Sequence, residues 1–343
     1  RRPMGRVVAL LILALAAVPA SAAIDAAQLA VIINDEDPAS VEIGAYYAER
    51  RGLPPENVIH TRFPPDKPIL SSAVFKQIYA QVTALTPDTV QAYALTWANP
   101  IRVNCMSITT SFAMGYATRH CAKGCRAIAP NPYFNSASSA PYTDLGIRPT
   151  MSIAARTVDN AKLLIDRGVL ADGTRPAATA YFVITPDKAR NARAPAFAQA
   201  QRRLGASVPI RVERAHGIRD RFDIMFYFTG TPHVPFLDTI GFLPGAMADH
   251  LTSAGGRLLN SPQMSALAWL EAGATASYGT VVEPCNFPQK FPNPTVAMAH
   301  YLDGETVIEA YWKSVVWPGQ GIFIGEPLAR PYAQVPAGTR NDG

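Results

Sequence analysis

The sequence predicts an α/β protein: three layers, with a mostly parallel sheet and helices on both faces. Two patterns predict this. Short apolar runs at 29–33, 92–97, 178–184 and 222–228 read as strands buried on both faces. Between them lie segments with helical apolar spacing, the alternation of a parallel sheet with crossover helices. A third feature shapes the connections: 30 prolines in 343 residues favour stiffened loops over tight helical hairpins.

Taken in order, LAVII at 29–33 ends in Asn34, Asp35, Glu36, Asp37 and Pro38, a polar loop. Asp37 or Ser40 can cap the following helix, which carries Ile43, Tyr46 and Tyr47 on one face and stops at Gly52. Residues 58–63 form a second strand. Residues 71–85 have helical spacing in Val74, Ile78, Val82 and Leu85, and 92–97 is a third strand. Residues 100–149 hold three of the four cysteines and little periodicity, so they predict a long excursion, with a helix near 108–116. Alternation resumes with a helix at 153–167 stopped by Gly168, a strand at 178–184 and a helix at 195–204. A buried strand at 222–228 leads to Thr229, Gly230, Thr231, Pro232 and His233. Then come a helix at 264–272, a strand at 274–282, helices at 296–302 and 306–315, and a short strand at 322–324. The expected organisation is one α/β domain over 23–335, with 23–150 and 151–335 as candidate sublobes and 336–343 as a loose tail.

The first segment predicts export. Arg1, Arg2 and Arg6 precede an apolar run at 7–18, and Ala20, Ser21 and Ala22 supply a small-x-small cleavage site. That is a secretory signal peptide over 1–22, too short to span a bilayer. Its removal takes three arginines and no acid, lowering the formal charge from +5 to +2. No basic block or basic–aromatic interleaving remains, so nucleic acid is not an expected partner. No later run of 18 apolar residues predicts a membrane span after processing, and the expected location is periplasmic or extracellular.

In that compartment Cys105, Cys121, Cys125 and Cys285 read as two disulfides. Cys121 and Cys125 bracket a flexible Ala-Lys-Gly turn and form a candidate local pair, with Cys105 and Cys285 as the long-range pair. Four cysteines allow three connectivities, and the choice stays open. A metal site of His120 with Cys105, Cys121 and Cys125 fits no common zinc spacing, so no metal is expected. The absence of a Walker or dinucleotide glycine loop argues against nucleotide chemistry, and no cofactor is expected.

Ligands of open parallel sheets gather beyond the carboxyl ends of the strands. That rule selects Asn34, Asp35, Trp97, Asn99, Thr231 and Glu283 as cleft candidates, and His250 is a further one. His233, across a glycine-containing turn from a buried strand, is placed to act as a general base. His250 lies beside Asp249 and three residues before Ser253, but neighbours on a strand face opposite ways. Cys285, just after a core strand, is the one cysteine placed to be a nucleophile; a disulfide is its other reading. His216 and Gly217 read as a turn before a strand. The run Asp35, Glu36, Asp37 suits either a hard cation or a helix cap.

Several stretches resemble an uncharacterised family of secreted bacterial proteins from organisms with exosortase sorting systems. They are YYAERRGLPPENVI, SITTSFAMGY, IRPTMSIA, LIDRGVLADGT, FLPGAMADHLTS, ALAWLEAGATASYGTVVEPCNFPQKFPNP and AYWKSVVWPGQGIFIGEPLARPY. More distantly, the C-terminal half is similar to gingipain-type cysteine peptidases of the caspase-like fold. Those enzymes carry Gly-His-Gly after one strand and a nucleophilic cysteine at the end of the next. This chain has Thr229, Gly230 and Thr231 at the first place, with His233 two residues late, and Leu251, Thr252 and Ser253 at the second. The resemblance implies the fold, with both catalytic positions changed. The expected function is an exported, non-catalytic recognition or assembly component whose partner is a cell-envelope protein, peptide or polysaccharide. The alternative is a peptidase-type hydrolase using His233 with Ser253 or Cys285.

Overall fold

The computed structural model describes residues 23–122 and 124–334. The expected signal peptide at 1–22 and the tail at 336–343 lie outside the described residues. Strands are β1 (Leu29–Asn34), β2 (Val58–Thr61), β3 (Ile69–Leu70), β4 (Ala92–Leu95), β5 (Arg102–Val103), β6 (Met106–Ser107), β7 (Thr150–Ser152), β8 (Thr179–Ile184), β9 (Ile210–Arg214), β10 (Ile224–Gly230), β11 (Phe242–Leu251), β12 (Ala276–Thr280) and β13 (Gly321–Gly325). Helices are α1 (Pro38–Arg51), α2 (Ser72–Leu85), α3 (Ile108–Met114), α4 (Pro141–Leu145), α5 (Val158–Ala171), α6 (Ala194–Leu204), α7 (Leu267–Glu271), α8 (Pro294–Leu302) and α9 (Val307–Trp312).

Ten strands form one sheet in the order β2-β1-β4-β7-β13-β12-β11-β10-β8-β9, and β3, β5 and β6 form a small second sheet. Every neighbouring pair in the large sheet is parallel except β12 with β13, where Ala276 lies opposite Gly325 and Thr280 opposite Gly321. The sheet is thus two parallel halves pointing opposite ways, joined at one antiparallel seam. Each half is wound alike: its second strand lies outside the first and its third on the other side. The expected three-layer, mostly parallel architecture is present. α1, α5, α6, α8 and α9 cover one face, and α2, α3 and α7 the other.

Local chemistry sets these elements. β1 is buried along its whole length, as its apolar run requires. Asp37 accepts from the Ala39 amide at the start of α1, and Gly52 ends the helix in the left-handed conformation. In α2 the buried residues are Phe75, Ile78 and Val82; Val74 and Leu85 of the expected stripe are exposed. The helix expected at 153–167 is displaced: 150–152 is β7, and Thr157 caps α5 by accepting from Asn160 N. Gly168 does not stop that helix. It lies inside α5, where a Cβ would overlap the buried Glu326 carboxylate. The 100–149 excursion contains β5, β6, α3 and α4. Two strands not read from periodicity, β9 and β11, complete the second half.

One apolar cluster runs through both halves, from Ile32 and Leu95 to Phe226 and Phe228. Phe182 stacks on Phe197 at 4.8 Å and Trp312 on Phe323 at 4.6 Å, pairs worth about 0.5–1.5 kcal/mol each beyond their burial. Three of the family-like stretches converge on one buried ionic cluster. Arg51 bonds both Glu326 oxygens (3.0 and 2.5 Å) and pairs with Asp172, while Tyr47 donates to Glu326 at 2.8 Å. Burial disfavours the charge on Arg51, but Glu326, Tyr47 and Asp172 outweigh it and raise its pKa. These residues hold α1, α5 and the turn after β13 together. Among the described residues no helix is long and apolar enough to cross a membrane.

Candidate functional site

Because the halves point opposite ways, their carboxyl ends lie at opposite edges of the sheet. The cleft candidates therefore divide into two groups. Asn34, Asp35, Trp97 and Asn99 follow β1 and β4, whereas Thr231, His233, Ser253 and Glu283 follow β10, β11 and β12.

At the first edge, Asn34 is buried and structural. Its amide donates to Phe63 O at 2.9 Å and its Oδ1 accepts from Phe63 N at 3.1 Å. Asp35 pairs with His60 Nδ1 at 2.6 Å, and Asp37 is the α1 cap, so these two carboxylates of the acidic run serve local structure. Trp97 is buried against Phe63 and Phe112. A cavity of about 430 Å³ opens between the ends of β1, β4 and β7, bordered by Trp97, Asn99 and the starts of α1 and α5. It sits where the strand order reverses, the usual ligand position of such sheets.

The second half has the equivalent cavity, about 350 Å³, at the ends of β8, β9 and β10. Thr185, Asp187, His216, Thr231 and His233 border it. His216 lies in a bend before β10, as expected, but it also follows the unforeseen strand β9, which places it at a strand's carboxyl end. The signal was present in Ile210 and Val212, alternating with charged residues. His233 is exposed, and its carbonyl accepts from Thr231 Oγ1 at 3.0 Å.

The strand ends corresponding to the peptidase resemblance lie side by side, with Gly230 opposite Leu251. Their surroundings are filled by closed hydrogen bonds. Arg190 Nε donates to Thr252 Oγ1 at 3.0 Å, and Arg190 pairs with Asp187 at 2.7 Å. Thr252 Oγ1 and the Ala254 amide both donate to Gln263 Oε1 at 2.8 Å. Thr280 Oγ1 donates to the carbonyls of Thr252 and Ser253. Among the described residues, no hydrogen bond joins Ser253 to an imidazole.

His250 is occupied at both nitrogens. Trp269 Nε1 donates to its Nδ1 at 2.9 Å, so the proton resides on Nε2, which donates to Met264 O at 3.1 Å. Burial holds its pKa down at about 3, and it is a neutral core residue rather than a cleft group. Its neighbour Asp249 faces the opposite layer, paired with the buried Arg193 at 2.7 Å. Burial raises the Asp249 pKa while Arg193 opposes the shift. Asp249, His250 and Ser253 therefore make no triad.

The disulfides are Cys105–Cys121 and Cys125–Cys285, not the local Cys121–Cys125 pair with Cys105–Cys285. This removes Cys285 as a nucleophile, because its sulfur carries no thiolate. Glu283 is exposed and accepts from the Cys285 amide at 2.8 Å, shaping the turn after β12. His120 is buried with neither ring nitrogen bonded, and burial with the nearby Arg119 lowers its pKa to about 4. Among the described residues no three His, Cys, Asp or Glu side chains are grouped to hold a metal. No family model, curated protein or solved structure matches the chain.

Proposed function

We propose that the chain is an exported, non-catalytic recognition component of the cell envelope, built on a scaffold related to gingipain-type peptidases. One observation carries the reading. The side chains that could do covalent chemistry at the β10–β12 edge are otherwise engaged or unassisted: Cys285 in a disulfide, His250 bonded at both nitrogens, Ser253 without an imidazole. Acyl transfer needs a nucleophile in hydrogen-bond reach of its base, and this edge offers none. The adjacency of Gly230 and Leu251 supports the peptidase-like scaffold, since it puts the two strand ends of the resemblance together. The disulfides and the basic, apolar leader support export.

The test is a hydrolase screen of purified protein with peptide, ester and glycoside libraries. The expected result is turnover no higher than that of His233→Ala and Ser253→Ala variants. A turnover abolished by either substitution would refute the reading. Expression in a bacterial host with its own leader should yield periplasmic protein whose first residue, by mass spectrometry, is Ala23.

A further inference from the structure

Next to the first strand-end cavity, with Asn99 and Leu259 shared between the two, a cleft of about 250 Å³ opens where the small sheet meets the loop leaving β11. Arg102 of β5 and Arg257 of the loop both border it. Among the described residues neither guanidinium has an acidic partner within 4 Å or a side-chain hydrogen bond. Arg102 is half-buried and Arg257 exposed. Burial and the charge of Arg257 lower the Arg102 pKa.

The rest of the lining narrows the ligand. Asn99 and Asn260 offer amide donors and acceptors beside the arginines, and Ile101, Leu258 and Val281 form a buried aliphatic floor. A bare phosphate or sulfate would leave that floor unused, and no aromatic ring borders the cleft for a sugar to stack on. Planar guanidinium groups match carboxylates through paired N–H donors.

We infer that this cleft binds a carboxylate carried on an aliphatic group, with Arg102 and Arg257 holding the carboxylate and the aliphatic floor taking its side chain. A small aliphatic acid and the free carboxyl end of a peptide ending in an aliphatic residue share this chemistry. The Asn99 and Asn260 amides are placed to bond the adjoining amide group. The site needs no catalysis at the strand ends, so it stands or falls separately from the non-catalytic reading.

Titration calorimetry on the disulfide-bonded protein would test it with four probes: N-acetyl-leucine, N-acetyl-leucinamide, and acetyl-Ala-Ala-Leu with a free or an amidated end. The expected result is that an acid binds at least about tenfold tighter than its amide, and weakens as salt rises. Equal binding of both acids identifies the small acid as sufficient; binding of the tripeptide acid alone identifies a peptide terminus. Arg257→Gln, at an exposed position, should weaken binding about tenfold with an unchanged melting temperature, and Arg257→Lys should recover part of the loss. Arg102→Gln should act in the same direction. Acid and amide binding alike, no binding of any probe at millimolar concentration, or full affinity in Arg257→Gln would overturn the assignment.

Discussion

At the scale of single residues, the catalytic-looking histidine is a structural one, and this has a measurable consequence. His250 and His120 are held neutral in the folded chain, with pKa values of about 3 and 4, against 6.5 in the unfolded one. The unfolded state therefore binds more protons between these limits. The stability each contributes is complete above pH 6.5 and is lost as pH falls toward the folded value, by about 1.4 kcal/mol per pH unit per histidine. His250→Gln should cost about 1–3 kcal/mol at pH 7, because Trp269 Nε1 and Met264 O lose well-placed partners. That cost should shrink as urea unfolding is repeated from pH 7 to pH 4.5, since the native chain then loses the term the variant already lacks. A cost independent of pH would show that folding does not lower the His250 pKa. The sequence placed His250 beside Asp249 and expected them to face opposite ways, which they do. It could not show that a tryptophan 19 positions away would claim the free nitrogen.

At the scale of elements, legibility followed apolar runs in the sequence rather than burial alone: β11 is mostly buried and was not read. β1, β4, β8 and β10 were readable because both faces are covered, so their sequences are continuous apolar runs. β9 was not, because it is an edge strand whose arginines and glutamate reach solvent. β11 carries Pro244, Gly245, Asp249 and His250 through an otherwise apolar strand; only the peptidase resemblance implied a strand before Ser253. The disulfides show the same limit. A flexible turn between Cys121 and Cys125 suggested a local bridge, but each sulfur pairs outside that turn. The resulting loops differ in length, with separations of 16 and 160 residues. Loop-closure entropy then assigns about 3 kcal/mol to Cys105–Cys121 and about 5 kcal/mol to Cys125–Cys285. Replacing both Cys125 and Cys285 by serine should lower the urea-unfolding free energy by about 2 kcal/mol more than replacing Cys105 and Cys121. Equal losses, or a non-reducing peptide map linking Cys121 to Cys125, would contradict the pairing.

At the scale of the whole molecule, the strand-end rule held but the sequence hid its geometry. The rule gathered Asn34, Trp97, Thr231 and Glu283 into one cleft on the assumption that all strands point one way. A five-residue strand near the C-terminus, β13, pairs parallel with β7 and antiparallel with β12, which turns the second half over. No local pattern encodes that reversal, because it depends on which edge the last strand reaches. The seam is also where the two halves depend on each other. Gly321 lies where any Cβ would overlap the Tyr278 phenol, whose oxygen donates to Lys290 O at 2.6 Å. Nearby, Trp312 stacks on Phe323 and donates to Thr150 O at 2.9 Å, bridging α9 to β7 and β13. With one apolar cluster crossing this seam, the halves should unfold as a unit. Gly321→Val should displace Tyr278 and destabilise the fold by about 1–3 kcal/mol or more. Its unfolding should remain a single transition, with the amides of Ile32 in one half and Phe228 in the other losing hydrogen-exchange protection at the same urea concentration. Early exchange confined to Ile32 and its neighbours would mean instead that the first half melts alone and that the seam does not couple them.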